Sequence, residues 1–232
     1  MSRDIYSSLS GAKAAWAQME SVANNLANTN TTAFKEQRMT FKQAGVSEAP
    51  LGDSFVKADE VYYDMTDGAL KHTGVSSHLA IRGRGFFQVQ TEDGVRLQRA
   101  GNFRMNSEGF LVNDKGQKLM GEGGAIEIPE RKEFVVAADG AVRTLDGEEI
   151  GTIGLVEADA VRPVGHAQWE AIDGTYASPD KEILQGSLEG SNADAVRGMV
   201  ELVEASRYFE AYQKAMQTSD ALDTRTNEIM RS

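Results

Sequence analysis

Each end of this chain carries an apolar stripe with heptad spacing, and these two stripes constrain the fold more tightly than any other feature. From Ile5 the apolar residues fall at Ile5, Leu9, Ala12, Trp16, Met19, Ala23 and Leu26, in steps of 4, 3, 4, 3, 4 and 3. That alternation keeps all seven on one face of an α-helix, as in a coiled-coil seam. The helix should stop near Asn28, because Asn28-Thr29-Asn30-Thr31-Thr32 has strong turn character and weak helix preference. The spacing predicts a helix over 4–28. At the other end, Ser191-Asn192-Ala193-Asp194 offers N-caps after Gly190. Ala205, Tyr208, Tyr212, Ala215, Ser219, Leu222, Thr226 and Ile229 then step by threes and fours, with Leu202, Phe209 and Met216 widening the stripe on one flank. A long second helix over 192–230 is predicted.

The middle has a different grammar. Phe86-Phe87-Gln88-Val89-Gln90 and Val95-Arg96-Leu97-Gln98 flank Glu92-Asp93-Gly94, a hairpin signal because glycine accepts the positive φ of such turns. Ser107-Glu108-Gly109, Asp114-Lys115-Gly116, Ala138-Asp139-Gly140 and Asp146-Gly147 repeat the punctuation between short apolar runs. An all-β body, sandwich or irregular barrel, is expected over 70–189. Residues 36–69 show no sustained period and are expected to form an extended connector with one strand near 54–64. The fold class is therefore α+β: an all-β central body, with terminal helices at 1–35 and 190–232 pairing as a coiled coil.

Small residues at Ala12, Ala23, Ala205, Ala215 and Ser219 allow neighbouring helices to approach closely. An ordinary helix pair lying on a β core would show the same stripes. Their position at the two extremes of the chain suits a bundle built from many chains better than one compact core. Isolated helices of this length are marginal in water, so the ends of a free subunit are expected to order on assembly.

The composition narrows the function. Lys and Arg total 24 against 35 Asp and Glu, a net charge of −11, which disfavours a nucleic-acid partner. No apolar run approaches the roughly 18 residues of a membrane span, and the first residues lack the apolar core of a cleaved signal peptide. The chain has no cysteine, so disulfides, thiolate metal sites and cysteine nucleophiles are all excluded. His72, His78 and His166 lack metal-ligand spacing. Gly83-Arg84-Gly85 and Gly121-Glu122-Gly123-Gly124 lack the context of a phosphate cradle, and no Gly-x-Ser-x-Gly occurs. Neither Asp139-Gly140 nor Asp146-Gly147 continues into a calcium loop. No catalytic residue, cofactor, metal or small-molecule ligand is expected.

Against this background, Ala23-Asn24-Asn25-Leu26-Ala27-Asn28-Thr29-Asn30-Thr31-Thr32-Ala33-Phe34-Lys35 resembles the signature of the flagellar rod and hook family, with Ala33 where that family usually has Gly. Leu79-Ala80-Ile81-Arg82-Gly83-Arg84-Gly85-Phe86-Phe87-Gln88-Val89 resembles a second family block, apart from Ser77-His78 and a missing Asp. Arg99-Ala100-Gly101-Asn102-Phe103, Gly109-Phe110-Leu111-Val112 and Gln185-Gly186-Ser187-Leu188-Glu189-Gly190-Ser191-Asn192 are similar to later blocks. Gly121–Pro129 and Ala137–Gly140 look most like the proximal-rod members, with the distal-rod members as the near alternative.

The resemblance implies a structural subunit, not an enzyme. Such a subunit stacks helically with copies of itself and with other rod proteins into the periplasmic drive shaft that carries torque. It also implies delivery by the flagellar type III export apparatus without a cleaved signal. Leu9, Trp16, Met19, Tyr208, Tyr212 and Leu222 are then expected at the heart of the assembly interface, with Asn24, Asn25 and Asn28 satisfying the helix end or meeting a neighbour. A secreted β-rich binding or adhesive module with oligomerising helices is the other class compatible with the stripes.

Overall fold

The computed structural model describes residues 3–45, 54–165, 167–177 and 182–229. They divide into two compact units. Met1–Thr29, Glu36–Asp64 and Ala193–Ser232 supply one; Asn30–Lys35 and Met65–Asn192 supply the other.

The first unit is a helix pair with a hairpin. Helix α1 spans Arg3–Ala27 and α2 spans Ala195–Ile229. The first turn of α2 is capped by Asp194, whose Oδ1 accepts the Arg197 N–H at 2.8 Å. The helices pack on one another. Trp16 meets Phe209 with ring centroids 5.7 Å apart, and Gly11 sits against Tyr212 so closely that an added methyl would overlap the ring. Both helices thus form as the stripes predict, α2 three residues later than expected.

The stretch expected as an extended connector forms a hairpin instead. Strand β1 (Gln37–Gly45) pairs antiparallel with β2 (Ser54–Tyr63), so the strand expected near 54–64 has a partner. The register slips between Met39 and Phe41, which stand opposite Val61 and Ala58. A bulge of this kind adds a residue on one strand and shifts every later side chain to the other face. The alternation that would have announced the strands is broken at that point.

The second unit is the β body. Its largest sheet runs in the order Val161–Gly165, Gln168–Ala171, Gly94–Gln98, Phe86–Thr91, Lys118–Gly121, Leu111–Val112, Arg104–Met105, with every pair antiparallel. The predicted hairpin is present: Thr91 pairs with Gly94, whose φ of +117° is open to glycine. A three-stranded sheet (Phe134–Val136, Ala141–Thr144, Glu149–Thr152) and two two-stranded ones complete the unit. In the latter, Leu79–Arg82 pairs with Glu182–Gln185, and Leu70–His72 with Ser187–Glu189. The core gathers Leu79, Ile81, Phe87, Val89, Phe103, Leu111, Leu119 and Ile183, with Phe87 and Phe103 edge to face at 5.3 Å.

Candidate functional site

Two arrangements stand out: the outer surface of the helix pair, and a knot of buried charge in the body that draws in motif residues from two separate blocks.

On the helix pair, only part of each stripe is covered. Ala12 and Ala205 are buried; Met19, Leu26, Leu202, Phe209, Tyr212 and Met216 are half-buried. Leu9, Trp16, Tyr208, Leu222, Ala23 and Ala215 face outward, with Trp16 at 57 % and Tyr208 at 62 % exposure. The side chains of Ile5 and Ile229 lie outside the described residues, as does His166. The covered side of α2 therefore combines the flank residues Leu202, Phe209 and Met216 with Ala205 and Tyr212 of the stripe itself, while Tyr208, Ala215 and Leu222 are turned away.

The motif asparagines serve the same unit. Asn25 is buried and grips the backbone of Gln37 at two points, its Nδ2 donating to the carbonyl at 2.8 Å and its Oδ1 accepting the N–H at 2.9 Å. Ser21 Oγ adds a bond to the same carbonyl. The start of β1 is thereby fixed to the last turns of α1. Asn28 Nδ2 returns to the Asn24 carbonyl and closes the helix end, while Asn24 and Ala27 are exposed. Beyond the helix, Glu36 is bracketed by two guanidinium groups. Arg38 Nη2 lies 2.9 Å from Oε2, and Arg197 donates to Oε1. Arg38 also reaches Asp64 at 3.0 Å.

In the body, Glu189 is the centre of the knot. It is 2 % exposed, and its two oxygens are shared between two buried cations. Lys35 Nζ lies 2.8 Å from Oε1, and Arg99 Nε lies 2.6 Å from Oε2. The Gly68 N–H also donates to Oε1, at 2.9 Å. Arg99 continues outward, with Nη1 donating to the Gly85 carbonyl at 2.6 Å and Nη2 to the Gly83 carbonyl at 2.7 Å and to Asp67 Oδ1 at 2.8 Å. Lys35 Nζ binds the Thr66 carbonyl at 2.6 Å.

The glycines of Gly83-Arg84-Gly85 serve this geometry. At φ values of +87° and +126°, which side-chain-bearing residues would resist, Gly83 and Gly85 both present their carbonyls to one guanidinium. Phe87, completely buried, and Phe86 then anchor the strand that leaves the turn. Three motif residues, Lys35, Gly85 and Phe86, thus line one locus together with Arg99, and Gly83 joins it through its carbonyl.

The electrostatics follow from burial. Desolvation alone would raise the Glu189 pKa, but the Arg99 and Lys35 charges and their hydrogen bonds outweigh it and hold the carboxyl below its ordinary value. Lys35 is held less firmly. Burial lowers its pKa, and Glu189 offsets that only in part while Arg99 repels it. A carboxylate clasped by two cations is a poor general base, so the knot is suited to holding strands together and not to chemistry. Among the described residues no group of three or more His, Asp or Glu is placed to hold a metal ion, and no helix is long and apolar enough to cross a membrane.

Neither Arg99 nor Glu189 was legible as a site residue from sequence, although both stand in motif blocks. Glu189 lies 90 residues from Arg99 and 154 from Lys35. The available signal was a charge inside an otherwise apolar or glycine-rich block. Ala33 holds a position that glycine would fill with less strain: its φ is +53°, its side chain is buried, and its N–H donates to the Glu189 carbonyl at 2.9 Å.

Comparison with known proteins gives the family. Residues 5–35 match a family described as flagella basal body rod protein. Residues 80–144 match the flagellar hook protein FlgE/F/G D1 domain, and residues 184–229 the C-terminal region of flagellar basal body rod FlgEFG proteins. The chain is 31 % identical to the basal-body rod protein FlgG of Bacillus subtilis, with 96 % of this chain and 97 % of the relative covered. It is 32 % identical to FlgF of Rhizobium meliloti, covering 95 % and 94 %. Against FlgF of Caulobacter vibrioides the identity is 33 %, covering 96 % and 95 %. With its motif residues gathered at the charge knot and the helix end, and its similarity running almost from end to end, the chain belongs to the flagellar basal-body rod protein family.

Proposed function

We propose that this rod subunit is of the proximal type and polymerises through its terminal helices into the periplasmic drive shaft. It joins copies of itself and other rod proteins after passage through the flagellar type III export apparatus. The observation that carries the reading is the incomplete covering of the helix stripes. Within one chain α1 and α2 cover Ala12 and Ala205, yet Trp16, Tyr208 and Leu222 remain more than half exposed. Three large apolar side chains left in water on one helix pair are a cost that neighbouring subunits remove.

The helices are proposed to continue as a coiled-coil layer, with Leu9, Trp16, Met19, Tyr208, Tyr212 and Leu222 at its centre and the rest of the stripe (Ile5, Ala12, Ala23, Leu26, Leu202, Ala205, Phe209, Ala215, Met216 and Ile229) around them. In the domain scheme that accompanies this, 1–35 and 190–232 form the assembling part and 70–189 the body. The order of the free ends increases on assembly. The proximal assignment rests on the Gly121–Pro129 and Ala137–Gly140 blocks, because relatives of both the FlgF and the FlgG type cover the chain almost from end to end.

Trp16→Asp and Leu222→Asp test the reading in a strain lacking the chromosomal copy. Each is expected to abolish motility and rod assembly while the body of the purified chain melts as in the wild type. Motile cells with intact rods would refute the placement of the interface.

A further inference from the structure

Helix α2 carries a second apolar row that the predicted stripe does not contain. Val196, Met199, Val200 and Val203 follow the i, i+3, i+4, i+7 spacing of a single helix face. All four are exposed: 73 %, 55 %, 55 % and 51 %. The side of α2 that meets α1 is the one bearing Gly198, Leu202, Ala205 and Phe209, so the row is not left over from the helix pair but lies away from it. We propose that this row is a docking strip for a second copy of this chain, and that the Trp16 ring of that copy seats on it. This rests on the rod-subunit reading, which brings copies together.

Trp16 is the fitting anchor on grounds of size and exposure. It is the largest apolar side chain left open on the helix pair, 57 % exposed, and its ring is steadied by Phe209. Rigid aromatic anchors set against a shallow aliphatic strip are a common centre of interfaces, and Met199 supplies an adaptable surface for the ring.

The two features lie at different levels of the unit. Trp16 stands beside Phe209, nine residues along α2 from the middle of the row at Val200, or about 14 Å at the rise of an α-helix. A contact between Trp16 of one copy and the row of another, both pointing the same way, is therefore staggered and cannot be reciprocal. Such a heterologous contact leaves a free row on one copy and a free Trp16 on the other, so it propagates. It is also weak alone: four side chains of this size present on the order of 400 Å², about half of the ~800 Å² per partner that a stable pair covers. One contact would not hold two copies in dilute solution, whereas many in a polymer would.

The chain has no cysteine, so a cross-link can be placed without background. A deletion strain complemented with Trp16→Cys/Val200→Cys is oxidised, and isolated basal bodies are resolved on a non-reducing gel. A ladder of dimers and higher species is expected from the double variant, and monomer alone from either single variant. Dimers from one single variant would indicate a reciprocal contact and overturn the proposal. Basal bodies that contain the doubly substituted chain but give no ladder overturn it while the rod reading stands. Basal bodies that never contain the wild-type chain overturn both.

Val200→Glu gives an independent readout if the double variant does not assemble. It should cut the motile fraction at least tenfold with the purified chain's melting temperature within about 2 °C of wild type, since Val200 is exposed. Wild-type swimming of Val200→Glu would sink the proposal.

Discussion

Glu189→Gln is the sharpest perturbation of the body, because it keeps the shape of the side chain and removes only the charge. In the wild type one carboxylate neutralises two cations that are almost wholly out of water: Lys35 is 3 % exposed and Arg99 is 4 %. The amide retains one oxygen for the Gly68 N–H or for a cation, but its NH₂ group presents donors where both partners are themselves donors. Leaving one partner of a buried ion pair uncompensated costs about 3–5 kcal/mol. Asp67, half exposed, still faces Arg99, so the lower part of that range is expected at pH 7.

In a chain of this size each kcal/mol moves the midpoint by about 2–4 °C, so the body transition should fall by about 6–15 °C in calorimetry. The internal control is Arg82→Ala, which breaks a pair whose side chains are 59 % and 38 % exposed and should cost less than about 1 kcal/mol. The pH dependence checks the cause. The folded-state pKa of Glu189 is depressed, so its contribution is complete above the unfolded-chain carboxylate value and is lost as pH falls through the lower folded value. The gap between wild type and variant should be constant at neutral pH and close in acid. A gap under about 2 °C at pH 7, or one that persists undiminished in acid, would refute the account of the knot.

Three further comparisons probe the geometry. Lys35→Met should cost clearly less than Arg99→Met in thermal melts, since removing Lys35 leaves Glu189 paired to Arg99, whereas removing Arg99 also takes the donors from the Gly83 and Gly85 carbonyls. Gly101→Ala should destabilise the body by about 3 kcal/mol or more, because a methyl there collides with the Leu79 carbonyl, whereas Gly116→Ala, with open space around it, should cost only about 1–2 kcal/mol. Asn25→Ala should lose about 1–3 kcal/mol and speed hydrogen exchange in β1 and β2, the two bonds to Gln37 being gone.

What the sequence disclosed follows from the range over which each cause acts. Helix α1 was legible because its stripe, its asparagine-rich end and its length are all local. The turn at Glu92-Asp93 was legible because glycine announces positive φ. The hairpin of β1 and β2 was not, because a bulge at Met39–Phe41 interrupts the alternation and pairing across 46–53 is a tertiary matter. The charge knot was half legible. Lys35, Gly83 and Gly85 drew attention as motif residues, but nothing in their own neighbourhoods says that the two glycines share Arg99, or that Arg99 and Lys35 share one carboxylate. A charged residue in a sequence is solvated by default. Only the fold, by bringing residue 189 beside residues 35 and 99, makes these three the exception.

The helix stripes show a subtler limit. Periodicity on α2 marks an apolar face but not what covers it, and α2 is apolar on more than one side. The stripe positions Tyr208, Ala215 and Leu222 and the flank of Leu202, Phe209 and Met216 stand about 100° apart around the helix axis, and the covered side is the flank together with Ala205 and Tyr212. Gly11 is the physical reason. Without a side chain there, Tyr212 closes on α1, and that contact together with Trp16 against Phe209 sets the rotation of the pair. A globular monomer would then be expected to carry polar residues on the remaining α2 surface. This chain instead keeps Tyr208 and Leu222 there, and Val196, Met199, Val200 and Val203 as well. In a solvent-facing helix each such residue forfeits the stabilisation of burial and adds to the risk of misassociation. A helix that is apolar beyond its own intramolecular seam is best explained by neighbours that arrive later, and a polymerising rod supplies them.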